Sequence, residues 1–237
     1  MTPSGEAPSA RVPLRPPGWR LHALIAAATI LALLGGTVLV LLSPPVVHVG
    51  LDYGGSAVRL GISSDEAYRL SDRAIRDLMV GPGTFAFPMG EGGPRFLDTA
   101  EASHLRDVRV VLFGLLLILG TASAILAVGF VKARAAVWFW TAVRAGAVIV
   151  VASFLAIGAV LVVAFDAAFT LFHLVFFPGG NWSFDPTRQR MVQLYPTPFW
   201  EYAAASLAAL SVAAGLAVLW VAGRQVRLAR RKGPPDL

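Results

Sequence analysis

The sequence predicts an all-α membrane protein with four transmembrane helices, and three observations predict it. Mean hydropathy is +0.67 with only 14% charged residues, outside the soluble range. Four apolar runs each reach the roughly 20 residues needed to cross a bilayer core about 30 Å thick. Basic residues also alternate by segment: 11 Lys and Arg fall in 1–20, 132–144 and 223–237 against two acids, Glu6 and Asp236. The rest of the chain holds nine basic and twelve acidic residues. The positive-inside rule then places both termini in the cytoplasm. The net charge of +6 is thus a topology signal and an attraction to anionic lipid, with nothing favouring nucleic acid. The absence of cysteine excludes disulfides, thiolate metal sites and a cysteine acyl-enzyme.

Residues 1–20 are rich in Pro and Arg without apolar periodicity and read as a disordered cytoplasmic tail. The first span, 21–43, exceeds a signal-peptide core and ends in Leu-Ser-Pro-Pro, a poor cleavage site, so it stays as an anchor. Residues 44–107 predict a small extracytoplasmic α+β cap. Val46–Val49 and Ala57–Ile62 read as short strands around Asp52-Tyr53-Gly54-Gly55. Ser63 and Glu66 form a capping-box pattern opening a helix that stops before Gly81-Pro82, with Asp72, Arg73, Arg76 and Asp77 as a solvated face. A helix from Phe96 runs into the second span, 108–131, which Lys132 and Arg134 close. The cytoplasmic loop 132–144 carries Trp138 and Trp140 as an interfacial belt. The third span is 145–165, the aromatic-rich extracytoplasmic loop 166–201, the fourth span 202–222 and the basic cytoplasmic tail 223–237.

The polar chemistry concentrates outside spans two and three. Glu101, His104 and Asp107 recur at steps of three, so neighbours meet on one helix surface. Asp166 and His173 stand seven residues apart, about two turns, and share a face if the helix continues that far. Two histidines therefore arrive at similar height, whereas His22 begins a span on the inner side and His48 sits alone in the predicted strand as a structural residue. Interfacial acids and histidines also simply end helices, which is the plain alternative for either group taken singly. The turn Pro178-Gly179-Gly180-Asn181-Trp182 can present backbone N–H groups as an oxyanion hole or merely terminate a helix. The surrounding aromatic residues suit an interfacial belt or a groove for acyl chains, and Arg188 and Arg190 can meet headgroups.

Other chemistries fit less well. Glu-x-x-His is half of a di-iron pattern, but there is no second copy. Zinc on His104, His173 and one acid lacks a short-spaced ligand pair. Neither Ser103 nor Ser183 lies in a Gly-x-Ser-x-Gly elbow. The site residues thus predict no metal and no cofactor. A metal-dependent membrane hydrolase of lipids and a non-catalytic assembly or sensor protein stay open as rival classes.

At Glu101-x-x-His104-Leu105-x-Asp107-Val108, and at Phe165-Asp166 through Phe172-His173, the chain resembles a bacterial family of four-helix membrane proteins that includes lipoprotein intramolecular transacylases. Phe176-Phe177, Gly180-Asn181-Trp182, Phe184-Asp185-Pro186 and Leu194-Tyr195-Pro196 continue the likeness. It implies acyl transfer from the sn-2 position of a diacylglyceryl-cysteine lipoprotein to its own α-amino group, in the plasma membrane with the site on the extracytoplasmic face. It implies His104 and His173 as the essential residues, Glu101, Asp107 and Asp166 in support, and Gly180, Asn181, Trp182 and Asp185 in the substrate loop. The partners implied are the diacylated lipoprotein N-terminus and membrane lipids. Gln189 and Arg190 depart from the family pattern, where an acid is frequent, and Tyr195 replaces a frequent Phe.

Overall fold

The structure, a computed structural model, describes residues 18–231 apart from Glu91. Most of the predicted N-terminal tail, 1–17, and residues 232–237 lie outside the described residues. Among the described residues eight helices run in order: α1 Trp19–Leu41, α2 Pro44–Gly54, α3 Ser56–Leu60, α4 Ser64–Met79, α5 Thr99–Ala133, α6 Val137–Phe176, α7 Arg190–Leu194 and α8 Thr197–Arg231. Four are long and apolar enough to cross a membrane: α1, α5, the Val137–Leu161 part of α6, and α8. This is a multi-pass membrane protein.

Three of these helices are longer than a bilayer requires. The 35 residues of α5 and α8 and the 40 of α6 extend to about 52 and 60 Å at 1.5 Å per residue, against about 30 Å of hydrocarbon. Their ends therefore project, and the projecting end of α5 carries Glu101, His104 and Asp107. Within the bundle, α1 packs on α5, α6 and α8, and α6 packs extensively on α8, while α5 and α6 meet only sparsely. Small residues permit these approaches: a Cβ on Gly146 would sit 2.5 Å from the carbonyl oxygen of Ala26, and one on Gly215 would sit 2.6 Å from Val151. Thr37 and Ser211 share a buried hydrogen bond of 3.2 Å between α1 and α8.

The cap is helical, not α+β. Among the described residues there is no strand, only an isolated bridge between Pro88 and Arg95. The β-branched Val46–Val49 segment forms α2 because Pro44 and Pro45 suit a helix start and because Val47, Gly50, Leu51 and Gly54 bury one face at helical spacing. Ala57–Ile62 coils into α3, bracketed by Gly55 and Gly61 at φ +67° and +65°. Ser63 accepts a bond from the Glu66 N–H as the sequence predicts, though the Glu66 carboxylate turns to Arg69.

The predicted solvated face of α4 is in fact partly engaged. Asp72 pairs with His48 at 2.9 Å, and His48 stacks on Tyr68 with centroids 4.2 Å apart. Asp77 accepts from the Phe85 N–H, and its carbonyl, with that of Gly81, receives Arg109. The cap core joins Val47, Leu51, Leu70, Phe85, Phe96 and Leu105 to Met191, Leu194 and Phe199. The segment after α6 therefore belongs to the cap. Ser56 donates to the Leu194 carbonyl, and the buried Tyr195 hydroxyl, pushed up to about 12 by desolvation, donates to Ser71.

Candidate active site

His104 and His173 come together. Their rings lie 6.1 Å apart, inclined by 25°, although they are carried by helices that scarcely touch in the bundle. The reach of α6 makes this possible. Residues 166–176, predicted as loop, continue the helix past a kink at Ala164, where φ −142° and ψ 38° are non-helical. Phe177 packs against both imidazoles, 4.8 Å from His104 and 5.6 Å from His173. Phe184 closes on the edge of His104, while Phe169 and Trp182 pack on His173 at 4.2 and 4.9 Å. Both imidazoles are buried, 6% and 8% exposed.

The hydrogen bonds distinguish the two rings. His173 Nδ1 meets the carbonyl oxygen of Phe169 at 2.8 Å. Because a carbonyl can only accept, Nδ1 carries the proton and Nε2 keeps its lone pair. Desolvation holds this imidazole below the ordinary histidine range, opposed in part by the bond to Phe169. His104 Nδ1 is buried with no partner among the described residues, and so is the indole N–H of Trp182. Buried polar atoms without partners are uncommon because each forfeits its hydration. Both stand beside the same imidazole pair.

Glu101 and Asp166 do not take the supporting places the sequence suggested, whereas Asp107 stands within electrostatic reach of His104. Glu101 does not reach a histidine: one carboxylate oxygen accepts from the Asp98 N–H and the other from the Met191 N–H, each at 2.7 Å. With Asp98 accepting from the Glu101 N–H, this is a capping box that starts α5 and anchors α7 to it. Burial alone would raise the Asp98 carboxyl, but bonds from Glu101, Gln189 and Ala100 hold it below the usual range. Asp107 bonds the Asn181 side-chain amide at 2.5 Å and so fastens the post-α6 turn to α5. Asp166 is exposed and makes no side-chain bond among the described residues. Seven residues put it on the face of His173 but about 10 Å away along the axis.

In the loop, Gly180 adopts φ +76° and its N–H is already given to the Phe177 carbonyl, which removes it as an oxyanion donor. Asp185 turns back on its own segment, accepting from Thr187 N–H and hydroxyl, which lower its carboxyl. Gln189 explains its departure from an acid: its amide donates to Asp98 and accepts from the Asp185 N–H, a double role closed to a carboxylate. Phe169 is the one of these aromatic site residues that the sequence reading does not name; Phe177 and Phe184 enter there only through the belt or groove and the family motifs. The spacing of Phe169 and Phe177 around His173, at i−4 and i+4, was the available signal. Among the described residues no three His, Asp or Glu side chains gather as a metal would need.

Comparison with known proteins gives the same outline. Over residues 22–200 the sequence matches the family described as lipoprotein intramolecular transacylase Lit. The solved structure of membrane-integral Lit from Bacillus cereus matches with a TM-score of 0.75 and 17% identity, covering 90% of this chain and 97% of that one. Two variants of that protein, with a histidine replaced by arginine or by alanine, each match with a TM-score of 0.69, also at 17% identity and 90% of this chain, covering 94% and 95% of theirs. Among curated proteins no sequence matches. The structural likeness, at that identity, speaks for the fold. The family match runs from the start of α1 into α8 and takes in both histidine-bearing helix ends, and on it the chain belongs to the Lit family.

Proposed function

We propose that this chain moves the sn-2 acyl chain of a diacylglyceryl-cysteine lipoprotein onto the α-amino group of the same cysteine, leaving the lyso form. In this reading both termini are cytoplasmic and the cap stands outside the plasma membrane. The observation that carries it is the pairing of His104 with His173 in an aromatic box that also buries an unpartnered indole N–H.

The chemistry follows from the atoms. The neutral amine attacks the ester carbonyl, and as the C–N bond forms its N–H becomes acidic. His173 Nε2, with its lone pair free, takes that proton and returns it to the glyceryl oxygen as the C–O bond breaks. The charge on the tetrahedral oxygen falls to the unpartnered groups, the Trp182 N–H and the His104 ring. Amine and ester share one molecule, so holding them together supplies about 7 kcal/mol or more of the acceleration. The substrate reaches these buried rings by displacing the exposed turn at Gly179 and Gly180, which the Asn181 bond to Asp107 holds. No cofactor takes part.

Expression in a host that makes only diacylated lipoproteins, followed by mass analysis of their N-termini, tests the reading. Wild-type protein is expected to yield lyso lipoprotein, and His104→Ala and His173→Ala variants that insert normally are expected to leave the diacyl form. Lyso product from both variants would end it.

A further inference from the structure

We infer that a cavity beside the histidine pair binds the phosphodiester of an anionic glycerophospholipid, a ligand that acyl transfer does not itself use. The cavity measures about 500 Å³ and lies between the start of α5, the 84–97 segment and the loop before α7. It shares Glu101 with the site but includes neither histidine.

Its walls carry four basic side chains against two acids. All eight basic residues of 44–107 and 166–201 are arginines, and Arg95, Arg106, Arg188 and Arg190 line this one cavity. Elsewhere in the cap Arg59, Arg69, Arg73 and Arg109 close on carbonyls or a carboxylate nearby. The cavity arginines are freer. Those of Arg95 and Arg106 make no side-chain hydrogen bond among the described residues, Arg188 stands 3.8 Å from Asp185, and Arg190 reaches only the Arg95 carbonyl. The two acids present are already engaged, Asp98 by backbone N–H groups and Gln189, Glu101 by two backbone N–H groups. Guanidinium forks whose nearby carboxylates are spent on N–H donors, or in Asp185 stand 3.8 Å away, suit an oxyanion that accepts more than one bond.

Position selects a lipid phosphate. Arg106 lies two residues before Val108, where the apolar part of α5 begins, and Glu101 about 13 Å above Val110 on the same helix. A headgroup layer spans about 5–7 Å on each side of the hydrocarbon. The lower rim of the cavity therefore sits at phosphate depth, with Phe85, Phe96 and Leu97 as an apolar wall for a glyceryl stem.

Native mass spectrometry of the delipidated protein in detergent, titrated with dihexanoyl phosphatidylglycerol, tests this without reading acyl transfer. One lipid is expected to bind, about tenfold more weakly in Arg106→Gln and again in Arg188→Gln, with Arg106→Lys recovering part of the loss. Dihexanoylglycerol, lacking the phosphate, is expected not to bind. Equal lipid binding by wild type and both Gln variants overturns the inference, as does binding of dihexanoylglycerol at equal strength. Inorganic phosphate binding as tightly as the lipid would assign the cavity to free phosphate, and displacement of the lipid by an acidic peptide at lower concentration would assign it to polypeptide; either overturns the lipid.

Discussion

His173 Nδ1 lies 2.8 Å from the carbonyl oxygen of Phe169, one turn earlier on the same helix. That contact fixes the ring's tautomer and aims its basic nitrogen away from its own helix backbone, the ground on which we propose His173 as the proton acceptor of the pair.

Asparagine at position 173 tests the assignment, because its amide can keep the bond to Phe169 while offering no basic nitrogen. His173→Asn is expected to insert and melt as wild type and to lose about 10²–10⁴-fold in rate. Rate and stability are to be measured on the same preparation; a variant near full activity would remove His173 from the chemistry.

The pH profile follows from the sign of the shift. A histidine held below its ordinary range stays neutral as pH falls past 6.5, so its base form is not what limits the rate near neutrality. The substrate amine, with a pKa of about 8, is mostly protonated there. The rate of lyso product formation is expected to climb from pH 6 to about 8 and then level, and a limb near 6.5 would contradict the account.

Trp182→Phe removes one N–H and little else. Since that N–H has no partner, its loss is expected to leave the melting temperature unchanged or slightly higher, while the rate falls about 10²-fold as for an oxyanion donor. Loss of stability without loss of rate would make Trp182 a packing residue.

Glu101 behaves oppositely. Glu101→Ala leaves the Asp98 and Met191 N–H groups without acceptors and is expected to cost about 2–4 kcal/mol, with Asp98→Ala costing about 1 kcal/mol. Denaturation monitored by cap fluorescence would report both. If Glu101→Ala kept full stability and lost only activity, the capping assignment would fail.

Much of this arrangement was legible in the residues. Four apolar runs of sufficient length and the spacing of His104 and His173 outside two of them required no coordinates. The α2 segment was misread because its β-branched residues suggest strand locally, whereas the buried face Val47-Gly50-Leu51-Gly54 shows itself only against Phe199 and its neighbours. Glu101 was misread for another reason. Asp98-x-x-Glu101 is itself a capping signal, and it was overshadowed by the nearness of Glu101 to His104. The roles of Asn181 and Gln189 depend on partners 74 and 91 residues away, which no local pattern encodes.

The sparse packing between α5 and α6 has a mechanical consequence. Two rods joined by a short turn at 134–136 and fastened at their far tips by Asp107 and Asn181 behave as a pair of tongs. Along the arms α1 packs on both rods, so how closely the two imidazoles approach is set chiefly at the jaws, by that tie.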